Sequence, residues 1–130
     1  MKKAIMTLSA IAAFLTSCAP SVSLSGEWTV LTIKGEGVSA AIVAPQIIID
    51  GDSYSGQTGV NCINGKLTLK GDSISFGEAA MTRMMGDPAS MDVEQRYMDA
   101  INAAAKATVK DSDMILSDKD GNELMTLKKK

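Results

Sequence analysis

Apolar and polar positions alternate in two blocks in the middle of the chain. Residues 45–57 and 65–76 each read as a β-hairpin, turning at Asp50-Gly51-Asp52 and at Gly71-Asp72, because Asp/Gly turns between β-prone runs are a strong short-range hairpin signal. In the second block Leu67, Leu69, Ile74 and Phe76 form one face, and Lys66, Thr68, Lys70, Ser73 and Ser75 form the other. One side is core and the other is water. In the first block Ile47, Ile48 and Ile49 run without alternation, which suits a strand buried on both faces or bent where a sheet closes on itself. Residues 56–65, with Gly56, Gly59 and Gly65, read as too rich in glycine to be strand interior.

Residues 27–33 alternate Trp28, Val30 and Thr32 against Thr29, Leu31 and Ile33, the period-two pattern of a strand, with Trp28 as a core anchor by its size. Residues 34–44 break the pattern with Gly35 and Gly37 and read as a loop. Residues 78–85 continue extended until Gly86-Asp87-Pro88 stops them. The period then changes: Val93, Tyr97, Ile101 and Ala104 fall on one helical face, and Asp92, Gln95, Arg96, Asp99 and Asn102 on the other. The pattern predicts one helix of about 16 residues, about 24 Å long, capped by Ser90 or Asp92. Residues 108–110, 113–117 and 123–127 read as short strands, the last two joined by Asp118-Lys119-Asp120-Gly121-Asn122. The expected fold is α+β: a curled, mostly antiparallel sheet of about eight short strands, a partial barrel, with one helix packed across it.

The first residues read as an address. Lys2 and Lys3 precede a short apolar run that ends in Leu15-Thr16-Ser17-Cys18, too short for a permanent transmembrane helix. This order resembles the lipobox of bacterial lipoproteins, in which the cysteine becomes the lipid-modified first residue; an ordinary secretory signal cut elsewhere is the alternative. The resemblance implies a signal peptide over 1–17, lipidation at Cys18, a linker over 18–23 and a domain over 24–130. No acid directly follows Cys18, which resembles the default route to the periplasmic face of the outer membrane.

Removing residues 1–17 takes away Lys2 and Lys3 and no acid, so the formal charge moves from −2 to −4. Nucleic-acid binding needs a basic face, and only Lys128-Lys129-Lys130 offers one, read here as a solubilising tail. With Cys18 lipidated, Cys62 is the one remaining thiol and no internal disulfide forms. Histidine is absent, which excludes Ser-His-Asp and Cys-His hydrolysis within one chain. Cys62 has only Lys66 nearby in sequence to activate it, so it reads as a structural thiol. Asp118-x-Asp120 is similar to the start of a calcium loop but also has the composition of a hairpin turn. Met81, Met84, Met85 and Met91 fall within eleven residues; they form either a soft Cu(I) ligand set or filling for an irregular core. Arg83, among them, reads as a cation holding a turn carboxylate.

From Leu24 to Leu127 the chain resembles the META/HslJ-like family of small bacterial envelope domains. Leu24-Ser25-Gly26-Glu27-Trp28-Thr29-Val30 matches the family's first strand. Gly56, Gly59, Asn61, Asn64 and Gly65 match its central Gly-rich motif, and Met81-Thr82-Arg83-Met84 its later Met-Thr-Arg/Lys-Met motif. Val60 and Gly86 stand where many members carry cysteines, and the paired departure implies that positions 60 and 86 touch in space. The resemblance implies an envelope domain associated with stress and without an agreed enzymatic activity. The expected function is therefore non-catalytic contact with envelope components by a monomer tethered through Cys18, with no cofactor and no nucleic acid. The alternative is a carrier that holds an apolar ligand inside the partial barrel.

Overall fold

The computed structural model describes residues 23–130; the signal 1–17, the lipidation site Cys18 and most of the linker 18–23 lie outside the described residues. Among the described residues the strands are β1 (Gly26–Ile33), β2 (Glu36–Gly37), β3 (Gln46–Asp50), β4 (Ser53–Gln57), β5 (Cys62–Lys70), β6 (Ser73–Met81), β7 (Lys106–Lys110), β8 (Asp113–Ser117) and β9 (Glu123–Lys129), with one helix, α1 (Pro88–Ala103), between β6 and β7. The nine strands make one sheet in the order β2-β1-β3-β4-β5-β6-β7-β8-β9, and β1 also pairs with β9. Trp28 lies opposite Ile47 on one edge of β1 and opposite Lys129 on the other, so the sheet curls until its two ends meet. All the pairings are antiparallel.

One seam stays almost open: β6 and β7 register only at Ser73 and Lys106. The helix leads from the end of β6 to the start of β7 and spans that side, packing on β1, β6 and β9. Its buried face carries Val93, Tyr97 and Ile101 of the expected stripe together with Ala100; Ala104, the fourth expected position, follows the helix and is half-buried. The interior is filled by side chains, with Trp28, Ile33, Ile47, Ile63, Tyr97, Met114, Leu116, Met125 and Leu127 each essentially inaccessible to water. The α+β partial barrel expected from the pattern is the observed fold.

Four local expectations are corrected. Gly56 and Gln57 belong to β4, and Cys62, Ile63, Asn64 and Gly65 to β5, so only residues 58–61 form the turn; the glycines here serve close packing inside strands. Glu36 and Gly37 form a short edge strand within the expected loop. The helix is capped by Asp87, whose carboxylate accepts from the Ser90 amide at 3.2 Å, with Pro88 in the first turn, where proline is favoured because it gives up an amide that has no partner there. The C-terminal lysines are not a free tail: β9 runs through Lys129, Lys128 pairs with Asp113, Lys130 with Glu27, and Lys129 Nζ lies 5.7 Å from the Trp28 ring centre.

Candidate functional site

The glycine-rich motif builds a tight turn whose polar groups point inward. Gly59 has φ of +114°, a conformation that favours glycine, and it closes the turn so that the Thr58 amide donates to the Asn61 carbonyl at 2.9 Å. The Thr58 hydroxyl accepts from the Val60 and Asn61 amides at 3.2 and 2.9 Å. Thr58 and Asn61 are buried, as is Glu94, which α1 carries on its inner face. Glu94 Oε1 accepts from Thr58 Oγ1 at 2.5 Å and from Asn61 Nδ2 at 2.8 Å. A buried carboxyl group between two buried donors satisfies all three, which is the condition for polar groups to persist away from water.

The other side of Asn61 reaches the segment that follows β6. Its Oδ1 accepts from Thr82 Oγ1 at 2.9 Å and from the Met84 amide at 2.6 Å, while Nδ2 also donates to the Met84 carbonyl at 3.2 Å. The carboxamide thus pairs with Met84 as a neighbouring strand would. The Thr82 amide donates to the Cys62 carbonyl at 3.1 Å, and Thr82 Oγ1 accepts from the Cys62 amide at 3.0 Å. Together Thr58, Asn61, Thr82 and Glu94 form a clamp that ties the 58–61 turn, the 82–84 segment and α1 to one another.

Two motif glycines admit tyrosines. A Cβ on Gly56 would collide with the Gln46 carbonyl and lie 2.6 Å from the Tyr97 hydroxyl, the group that donates to Gln46 O at 2.9 Å. A Cβ on Gly65 would lie 2.6 Å from the Glu78 carbonyl and 3.0 Å from the Tyr54 ring. Tyr54 passes that point to donate to Gly77 O at 2.9 Å and packs edge-on against Phe76. Burial pushes both phenols above their ordinary range, Tyr97 furthest and with a smaller contribution from Tyr54.

Around the clamp the chain is held by further contacts to α1. The Ser90 hydroxyl accepts from the Ile42 amide at 3.1 Å, and the Gly86 amide donates to Met91 Sδ at 3.3 Å. A Cβ on Gly86 would lie 2.9 Å from Val60 Cγ2, so positions 60 and 86 are neighbours, as the paired departure implied. Hydrogen bonds from Ser90 hold the Asp87 carboxyl below its usual range.

Of the residues singled out from the sequence, Gly56, Gly59, Asn61, Gly65 and Thr82 are thus structural parts of the clamp or its surroundings. Arg83 is exposed and, among the described residues, makes no ion pair, so it does not hold a turn carboxylate. The methionines are divided: Met81 packs against the core, Met91 receives the Gly86 amide, and Met84 and Met85 are exposed. Cys62 is an exposed free thiol at the start of β5, directly after the 58–61 turn, because it takes the outward position beside inward Ile63. Asp118 accepts from the Asp120 and Asn122 amides at 2.9 and 2.8 Å; the turn closes on itself, and the Asn122 bonds hold Asp118 below its usual range. Among the described residues no three His, Cys, Asp or Glu side chains gather as a metal site, and no helix is long and apolar enough to cross a membrane. Open grooves of about 580 and 530 Å³ adjoin one another outside β3, β4 and β5, sharing Ile48, Ser55 and Asn64.

Sequence reasoning missed Glu94 and Thr58. Glu94 is three residues before Tyr97 and seven before Ile101, on the apolar face of α1, and a carboxylate at that spacing was the available signal.

The META domain family model matches residues 21–130. This chain belongs to the META domain family. Among solved structures the META domain here is similar to a protein from Burkholderia xenovorans determined by NMR, with 19% identity, 82% of each chain covered and a TM-score of 0.66. It is also similar to a DUF4847 family protein from Bacteroides vulgatus determined by crystallography, with 14% identity, 80% of this chain and 92% of that one covered, and a TM-score of 0.58. At such identities the likeness is one of fold. No curated protein matches the sequence.

Proposed function

We propose that this META domain is a non-catalytic, lipid-anchored protein of the bacterial cell envelope, held through Cys18 at the periplasmic face of the outer membrane and acting by contact with envelope components under stress. The observation that carries the contact reading is the state of the family motif. The motif residues Asn61 and Thr82 are joined to each other and to backbone, and Asn61 to Glu94, which holds Thr58, so their polarity goes into holding loops in place. The packed interior favours a surface that works over a barrel that carries. The lipobox-like Leu15-Thr16-Ser17-Cys18 supports the anchor, and more than one acyl chain, at about 0.8 kcal/mol per buried methylene, holds a protein stably on a bilayer.

Growth with an alkyne fatty acid followed by fluorescent coupling tests the anchor. The protein is expected to take up label and sediment with membranes, and Cys18→Ala to lose both. An unlabelled wild-type protein would contradict the reading.

A further inference from the structure

We propose that the end of the barrel built on the clamp is a docking face for an apolar segment of a second envelope protein; this deepens, and rests on, the anchored contact reading above. Exposed apolar side chains collect there: Ile42 is 82% exposed, Val43 46%, Met84 55% and Met85 86%. The four belong to one neighbourhood. Ile42 is bonded to Ser90, whose Cβ lies 3.6 Å from where a Cβ on Gly86 would be, and Gly86 follows Met85. Met84 is bonded to Asn61, and Val43 shares a groove with Gln57 and Cys62 on the other side of the same turn.

These side chains stand on backbone that buried groups hold. Met84 is fixed through both its amide and its carbonyl by Asn61, and Ile42 through its amide by Ser90. A fixed backbone that turns large apolar groups to water lowers the ordering cost of binding there. Exposed apolar clusters of this kind mark interaction sites, and flexible thioethers adapt to varied apolar partners.

The tether separates a protein partner from the bilayer. The fold begins where Gly26 lies opposite Ile49, next to the β3–β4 turn, whereas Ile42, Val43, Met84 and Met85 adjoin the opposite ends of these strands, where Gln46 lies opposite Gln57. The five residues of β3 put roughly 17 Å between the two ends. The six residue steps from Cys18 to Leu24 reach about 20 Å when fully extended, so turning the apolar end into the anchoring bilayer would need the whole tether stretched along the barrel. The formal charge of −4 left after removal of residues 1–17 also disfavours an anionic lipid surface. The occupant that fits is an apolar stretch of another protein on the side away from the anchor.

The test uses the full chain in its own envelope, with a photo-crosslinking amino acid placed singly at Ile42, Met85 or, as controls on outward positions of β7, Thr108 and Lys110. The expected result is one and the same protein adduct from Ile42 and Met85, none from the controls, and a yield at Ile42 that drops about tenfold when Met84→Glu is added, the change for about 1.4 kcal/mol of lost binding. Phospholipid adducts, adducts to a second copy of the chain, equal adducts at the controls, no adducts, or an unchanged yield with Met84→Glu while the thermal midpoint is unaltered would each overturn the proposal. Fatty-acid labelling of the same samples reports the anchor separately: an adduct from Ile42 and Met85 on an unlabelled protein would remove the anchor and leave the docking face.

Discussion

Glu94 Oε1 takes two donors, Thr58 and Asn61, where water scarcely reaches. Glu94→Ala leaves the buried Thr58 hydroxyl and one Asn61 amide hydrogen without an acceptor, while Nδ2 keeps its bond to Met84 O; at about 1–3 kcal/mol for an unsatisfied buried group, urea unfolding should show a loss of roughly 1–3 kcal/mol. Glu94→Gln keeps one acceptor and should lose less. Combining Glu94→Ala with Asn61→Ala should cost clearly less than the sum of the single changes, because both remove the same bond; strict additivity would show that the pair is not coupled. The contact between Val60 and Gly86 makes a second prediction. In a Cys62→Ser background, Val60→Cys with Gly86→Cys should form a disulfide under oxidation and raise stability by about 2–4 kcal/mol. Two free thiols by mass spectrometry would contradict the geometry. At this scale the motif positions were legible as a family pattern, but their purpose was not. Thr58, Asn61 and Glu94 are up to 36 residues apart, and nothing local reveals that a turn and a helix face one another.

The helix is the element whose sequence said most. Its stripe, its length of 16 residues and its place across the sheet followed from a period that changes after Pro88. Its cap did not: Ser90 and Asp92 were the expected caps, but Pro88 is favoured in the first turn, which puts the cap one residue earlier, at Asp87. Asp87 has a depressed pKa in the fold, so its contribution is present above the unfolded carboxylate value of 3.8 and is lost as pH falls through the lower folded value. Unfolding followed between pH 5 and about pH 2 should therefore show an acid-side decline that Asp87→Asn makes shallower; an unchanged slope would mean that Ser90 does not stabilise the charged form. Asp118 contributes in the same direction. The hairpins were legible from Asp50-Gly51-Asp52 and Gly71-Asp72, but β5 and β6 extend further than alternation suggested. Gly65 lies within β5 to make room for Tyr54, and that demand comes from a different strand.

At the scale of the whole molecule, the fold is a sheet closed by β1 and β9 and, on its open seam, by α1. The amphipathic pattern announced the curl, but the isoleucine run 47–49 is not a strand buried on both faces: Ile47 and Ile49 point inward and Ile48 is half-buried outside. The pairing of β1 with β9 joins Trp28 to Lys129, about a hundred residues apart, and no local pattern encodes it. Tyr97, carried by α1, reaches into the interior to Gln46, and its burial pushes its pKa up from 10.0. Below that unfolded value its contribution is intact, and as pH rises above 10 the unfolded chain ionises first and stability falls. Tyr97→Phe should weaken this alkaline decline while costing stability at neutral pH through the lost bond to Gln46. The motif acts as a clamp that presents the 82–86 segment, and amide hydrogen exchange of Asn61→Ala tests this most directly. The clamp predicts that the Met84 amide and its neighbours lose protection while β7, β8 and β9 keep theirs. Wild-type protection at Met84 in that variant would contradict it.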